Sequence, residues 1–510
     1  MTATFFGHPR GLATLFFTEM WERFTYYGMR AILVLFLVAA VSSGGFGIDD
    51  RTATAIYGLY TAAAYLAALP GGWIADRLIG AQRAVLAGGC MIAAGNTLLA
   101  TAGSPRAFYL GLFVIAMGVG LLKPNASAVV ADLYPEKGAR LDAGFTVFYM
   151  GINVGGFLGP LVTGWAQIRY GTRAGFGTAA FFMAVGVVQF LLTRKYLGSA
   201  GLSVSPRSSQ PGANGAAASE GPSPAVAVSG GLRRDWMYFW IVLVLAAAVV
   251  GAVAFGWVQV NAVSLAQSAA YGILGMAALF FLYYFTAARL DREERRRGIV
   301  LVILFVGCTL FFSGYEQAGS SMNLFAERYT DRVVTWAHFV IPTGWFQSLN
   351  SAFIFIFAPF FAWLWVWLGK RNLNPSAPAK FALGLIQMGL GFLVLAAAST
   401  FVAKGMKVGP SWLVWTYLLH TFGELCLSPV GLSFTTKLSP RRFVGQMMGM
   451  WFLFMSLGNL VAGLIAGEFD ANNVAAMPGQ YMHIVYFAVG LGTVLLVLSR
   501  PVKKLMGDVQ

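Results

Sequence analysis

Residues 18–30 read Thr18-Glu19-Met20-Trp21-Glu22-Arg23-Phe24-Thr25-Tyr26-Tyr27-Gly28-Met29-Arg30 and lie inside an apolar run that ends near Ala40. Glu19, Glu22, Arg23, Tyr26, Tyr27 and Arg30 follow spacings of 3, 1, 3, 1 and 3. At about 100° per residue, helical winding gathers all six in a sector of roughly 140°. The run is long enough to cross a bilayer, where charge is expensive. The stripe must therefore face a protein interior or a water-filled cavity. This reading makes the chain a membrane protein and the stripe a candidate working site for protons and charged solutes. A structural ion-pair knot that only fixes helix packing is the alternative.

The rest of the chain agrees with a bilayer. Its 510 residues are 58% hydrophobic and 11% charged, against about 25% charged in a soluble domain. The first run carries four charges and lacks a basic start followed by a small-residue cleavage site, so it is not read as a signal peptide. A net charge of +15 would suggest nucleic acid in a soluble protein; here cytoplasmic loops explain it and no nucleic-acid partner is expected. Cys90, Cys308 and Cys426 fall far apart in apolar spans and read as buried, inert thiols. The scattered His8, His338, His420 and His483 make a metal site unlikely on spacing.

Apolar runs are expected at 12–40, 52–76, 83–102, 107–132, 142–166, 175–197, 236–258, 264–288, 298–326, 335–368, 380–402, 411–436, 442–467 and 481–499, fourteen helices in all. With the N-terminus inside, roughly two dozen basic residues lie in cytoplasmic segments against about eight outside. The even count puts both termini in the cytoplasm. Residues 199–234 are mostly Gly, Ser, Ala and Pro and read as a flexible cytoplasmic linker. It separates a six-helix bundle, 1–198, from an accessory hairpin, 235–290, and a second six-helix bundle, 291–510. Six plus six is the layout of a transporter with its site at the midplane between the halves.

Glu19 and Arg23 form an i, i+4 pair, with Glu22 beside it. Two carboxylates near one guanidinium cannot be equally satisfied, and one is suited to carrying a proton. Arg30 has Tyr26 and Tyr27 as its neighbours one turn back, so it must pair with another helix or with an anionic ligand. Lys123 precedes Pro124, where the helix is locally open. Glu316 and Glu424 lie deep in later spans. The first half thus carries Arg23, Arg30 and Lys123 with two acids, and the second carries acids alone. A zwitterion such as a short peptide fits that polarity. Tyr26, Tyr27, Phe312 and Trp451 are candidates for lining its pockets. Gly155, Gly156 and Gly159, then Gly445, Gly449 and Gly458, are expected to let helices pack closely.

The pattern Glu19-x-x-Glu22-Arg23-Phe24-x-Tyr26-Tyr27 resembles the signature of the proton-dependent oligopeptide transporters, within the major facilitator superfamily. The resemblance covers nearly the whole chain outside the linker. Gly71-Gly-Trp-Ile-Ala-Asp76-Arg77, ending at Gly80, is similar to the superfamily loop after the second helix. Phe145-x-x-Phe148-Tyr149-Met150-x-Ile152-Asn153-Val154-Gly155-Gly156-Phe157 resembles a more specific signature in the fifth helix. Lys123-Pro124-Asn125, Phe346-Gln347-Ser348-Leu349-Asn350, Gly423-Glu424-Leu425 with Ser428-Pro429, and Trp451-Phe452 also fit.

The resemblance implies an all-α membrane protein of the major facilitator fold, two six-helix bundles plus an inserted hairpin of the kind bacterial members carry. It implies that Glu19, Glu22 and Arg23 couple proton movement to transport. Arg30 would alternate between the peptide carboxylate and a salt bridge to Glu316, which joins the coupling set. Lys123 and Tyr27 would hold the carboxylate end; Asn153, Asn350 and Glu424 the amine end. Tyr65 and Trp451 would shape side-chain pockets, although Tyr57 and Tyr60 compete with Tyr65 on the same helix. Tyr26 and Ser428 complete the substrate set. Animal members use a histidine in the second helix as a proton sensor; 52–76 holds none, so carboxylates would serve. Plant nitrate carriers often lack the acid pair in the first helix, and its presence here favours peptides.

The expected function is a proton-coupled symporter importing di- and tripeptides across the cytoplasmic membrane by alternating access. Protons would be the coupling ion, with no other cofactor; small peptides and membrane lipid would be the partners. The alternatives are a proton-coupled exporter of drugs or amines, or a carrier of another small zwitterion or anion. Arg23, Arg30 and Lys123 would repel a cationic drug. An enzyme is not expected, because no nucleophile–base pair or metal cluster is visible.

Overall fold

The apolar runs fold as helices in a computed structural model that describes residues 4–134, 138–202, 227–254, 260–469 and 473–507. They are α1 (Gly11–Val38), α2 (Asp50–Leu66), α3 (Ala68–Ile74) with a π-helical turn Ala75–Ile79, α4 (Ala81–Thr101), α5 (Pro105–Asp132), α6 (Ala139–Tyr170) and α7 (Thr172–Thr193). Then come α8 (Ala227–Ala254), α9 (Ala262–Thr286), α10 (Arg292–Tyr315), α11 (Ser321–Tyr329), α12 (Trp345–Lys370), α13 (Ala377–Val402), α14 (Ser411–Leu438), α15 (Val444–Ala466), α16 (Met477–Val497) and α17 (Ser499–Leu505). Two short antiparallel pairs, Thr4–Phe5 with His8–Pro9 and Val333–Val334 with Phe339–Val340, are the strands of the described residues.

Among the described residues, 11 helical stretches are long and apolar enough to cross a membrane, against the fourteen expected. Helix α1 escapes that measure because it carries Glu19, Glu22, Arg23 and Arg30. Helices α8 and α14, of 28 residues each, lie at two further expected spans.

Several local expectations change; the span expected from 335 starts as an α-helix only at Trp345, after the strand pair Val333–Val334 and Phe339–Val340. The run expected as one helix over 298–326 is broken: α10 stops at Tyr315, Glu316–Gly319 form a 3-10 turn, and α11 starts at Ser321. Gly and Ser around the break are poor helix formers, and the Tyr57 ring lies where a Cβ on Gly319 would stand. Helix α8 begins at Ala227, inside the expected linker, of which 203–226 lie outside the described residues. The start of that linker is pinned: the Gly201 N–H donates to Asp132 at 3.2 Å, and Gln82 Nε2 donates to the Ala200 carbonyl at 2.6 Å. Cys90 is exposed, whereas Cys308 and Cys426 are buried as expected. Cys90 stands about 200° around α4 from Gly88, whose face packs against α5.

The helices form two compact units. One comprises Met1–Glu22, Leu66–Gly151 and Ala180–Val260. Its centre is the α4–α5 contact, made through glycines seven residues apart on each helix. A Cβ on Gly118 would lie 2.8 Å from the Gly88 carbonyl, and one on Gly95 would lie 2.8 Å from the Gly111 carbonyl. Small residues are what allow membrane helices this approach. Asn125, beside the helix-opening Pro124, donates to the carbonyls of Leu121 at 2.7 Å and Gly71 at 3.2 Å, tying α5 to α3. Arg77 of the π turn pairs with Asp235 of α8 at 3.3 Å, which ties α8 into this unit.

The other unit comprises Arg23–Tyr65, Ile152–Ala179 and Asn261–Gln510. Here segments of α1, α2 and α6 meet the second half of the chain. Asn323 donates to the Ala31 carbonyl at 2.8 Å, Trp345 Nε1 to that of Leu161 at 2.9 Å, and Ser348 to that of Phe157 at 2.8 Å. A Cβ on Gly463 would lie 2.5 Å from the Thr54 carbonyl. Arg328 holds Asp50 through both nitrogens, at 2.5 and 2.8 Å. Of the glycines expected at such contacts, Gly159 fits against the Phe24 carbonyl and Gly458 against Thr309 and Phe312, but Gly445 faces open space.

Candidate functional site

Arg30, on the inward stripe of α1, is 4% exposed and Glu316 is 3% exposed. They form an ion pair at 3.0 Å between Arg30 Nη1 and Glu316 Oε2. The break after α10 allows it, because the 3-10 turn carries Glu316 out of helical register. Tyr57 donates its hydroxyl to the same oxygen at 3.1 Å, and Arg30 Nε donates to Gln347 Oε1 at 3.3 Å. The Tyr27 ring lies 4.9 Å from the Arg30 guanidinium carbon, a cation–π distance. A pair this deep is held by such additional hydrogen bonds, since desolvation alone would disfavour it.

A second polar cluster of the same unit surrounds Glu424, half-buried near the middle of α14. Its Oε2 accepts from Tyr315 and from Asn350, each at 2.9 Å. Asn350 also donates to Thr421 at 3.1 Å. Arg30 and Glu424 therefore point inward among protein groups. One is already matched to an anion and the other to neutral donors.

The remaining expected residues fall as follows. Arg23, Tyr26 and Asn153 are buried in this unit, and the Arg23 guanidinium carbon lies 5.2 Å from the Tyr26 ring centre. Tyr27 and Tyr65 are half-buried there. Ser428 belongs to it as well, and its hydroxyl has no hydrogen-bond partner among the described residues. Trp451 is 2% exposed and packs against Phe305 and Phe381 with its ring over Gly431. Glu19 and Glu22, both buried, and Lys123, half-buried, belong to the other unit.

Sequence reasoning named neither Tyr57 nor Tyr315 as a site residue. Three tyrosines on one helix offer no spacing that singles out Tyr57; its hydroxyl bond to Glu316 and its ring against Gly319 do so. Tyr315 carried a signal, its place beside Glu316. Gln347 lay inside a quoted motif without a role. A cavity of about 470 Å³ opens elsewhere in the unit, among Thr309, Ser313, Met388, Glu468, Gln480 and His483; none of the candidate residues lines it.

A sequence model described as the POT family matches residues 82–483. The chain is 40% identical to the peptide transporter YePEPT of Yersinia enterocolitica subsp. palearctica, over 99% of this chain and 97% of that one. It is 34% identical to a di-/tripeptide transporter of Lactococcus lactis subsp. cremoris, over 99% and 98%. Among solved structures, a mutant of the peptide transporter POT in complex with alafosfalin superposes with a TM-score of 0.86 at 39% identity, covering 99% of this chain and 98% of that chain. Buried charge on a multi-pass helical scaffold, full-length likeness and a matching family model agree: the chain belongs to the POT family and is a membrane transporter of the major facilitator fold.

Proposed function

We propose that this transporter imports di- and tripeptides together with protons across the cytoplasmic membrane, by alternating access. The buried Arg30–Glu316 pair carries the reading. It is a cation matched to an internal carboxylate that a peptide carboxylate can replace once Glu316 takes a proton. The names of the two relatives and the alafosfalin complex support a peptide substrate.

In this reading the basic bias of the loops sets both termini in the cytoplasm, so Asp50–Arg328 and the contacts around it close the outer side. A proton on Glu316 discharges the pair that ties α1 to the α10–α11 junction, and the outer closure loosens. Arg30 then takes the carboxylate of an entering peptide, with Tyr27 and Lys123 in support. Glu424, with Asn153, Asn350 and Ser428, takes the ammonium group; Tyr26, Tyr65 and Trp451 shape the room for side chains. Glu19, Glu22 and Arg23 carry the proton step. The decisive experiment is uptake of labelled dialanine into proteoliposomes under an imposed pH gradient, with competitors. Uptake that needs the gradient and yields to other dipeptides is expected; gradient-driven uptake of a cationic drug instead would overturn the reading.

A further inference from the structure

Tyr315 ends α10 and Glu316 begins the turn that follows. These consecutive residues face the two functional groups that a peptide would engage. Glu316 supplies Arg30 with a carboxylate at 3.0 Å. Tyr315 supplies Glu424 with a hydroxyl donor at 2.9 Å. Its ring is stacked on Phe311, centres 5.6 Å apart at 22°, and set edge-on to Phe312. With 8% exposure it has little freedom of its own. The hydroxyl therefore moves with the backbone of the junction, and the Arg30–Glu316 pair holds that junction.

An empty site with a cation at one end and a carboxylate at the other must satisfy both, since an unmatched buried charge is costly. We infer that the Tyr315–Glu316 dipeptide is an internal stand-in for the substrate: Glu316 occupies Arg30 in place of the carboxylate, and Tyr315 caps Glu424 in place of the ammonium group. The inference rests on the peptide reading above and adds Tyr315 as a residue that sets amine affinity. When Arg30 leaves Glu316, the junction is released and the cap withdraws, leaving Asn350 as the donor to Glu424 and room for the amine as Arg30 takes the carboxylate.

The assignment has a sign. A residue that merely shapes the pocket weakens substrate when truncated; a competing cap strengthens it. Tyr315→Phe keeps the ring stack and removes only the hydroxyl. Affinity is measured on the purified full chain for dialanine and for propionyl-alanine, which lacks the amine. Dialanine should bind about tenfold more tightly to the variant, the scale of one hydrogen bond to a charged group. Propionyl-alanine should bind as before. In a Glu424→Gln background the gain should vanish. Weaker or unchanged dialanine binding, or an equal change for both ligands, overturns the stand-in role. Should the Phe variant not be recovered, Tyr315→Met carries the same expectation. A parent protein that binds no dialanine removes the peptide reading itself, and the stand-in with it.

Discussion

Tyr57 and Arg30 reach the same atom: the hydroxyl of the first lies 3.1 Å, and the guanidinium of the second 3.0 Å, from Oε2 of Glu316. One oxygen thus collects donors from α1 and α2 and holds them to the junction after α10. Tyr57→Phe keeps the ion pair and removes one donor. A hydrogen bond to a charged group contributes about 1.5–3 kcal/mol, so the ratio of closed to open molecules should fall by about tenfold or more. Distances between spin labels on α2 and α11 measure this; an unchanged distribution would exclude the hydroxyl from the closure.

Glu22 is fully buried on the stripe of α1. Glu22→Gln should abolish gradient-driven uptake while counterflow exchange stays measurable, because exchange needs no net proton transfer. Equal loss of both would contradict a coupling role.

Arg30→Ala leaves Glu316 buried without its cation, and breaking such a pair costs about 3–5 kcal/mol. A lower melting temperature is expected, together with a loss of affinity largest for peptides with a free carboxylate. Adding Glu316→Gln should recover the melting temperature without recovering carboxylate recognition. If a C-terminally amidated peptide suffers as much as its free acid, Arg30 does not read the carboxylate.

Asp49 caps α2 just before its membrane segment, accepting the Thr52 N–H at 2.9 Å. Slight burial pushes its carboxyl up, but hydrogen bonds from Thr52 outweigh this and hold it below the usual range. A lowered folded-state value means that the stabilisation is complete above the unfolded value and is lost as pH falls through the folded one. Because Asp49 is exposed, Asp49→Ala should cost only about 0.5 kcal/mol at neutral pH. Melting curves of parent and variant should begin to draw together as pH falls below about 4 and meet below the lowered folded-state value.

The sequence made the charged groups legible because a bilayer leaves so few places for them. The stripe on α1, Glu316 and Glu424 needed no more than an apolar surrounding to stand out. Which partner each would take was another matter. Arg30 lacked an acid in its own helix, which pointed outward from α1 but not to the Tyr315–Glu316 break, since apolar residues on both sides read as one continuous helix. Tyr65 and Tyr57 look alike in sequence, and what sets Tyr57 apart is its hydroxyl bond to Glu316, 259 residues away. Trp451 reads from the sequence as a pocket wall, but aromatic residues serve walls and cores equally well, and in the fold its ring packs against Phe305, Phe381 and Gly431. Cys90 shows the same limit, since an apolar span does not reveal which of its faces meets lipid.

The interruption between α10 and α11 has a mechanical meaning. Regular helices resist bending because every turn is cross-linked by its own amides; the Glu316–Gly319 stretch has already given up that ladder. Swinging α11 costs few backbone bonds, and the effort of opening falls on side chains such as Asp50, Arg328 and Asn323. Opening speed can then be tuned one latch at a time, by substitutions that never touch the cargo.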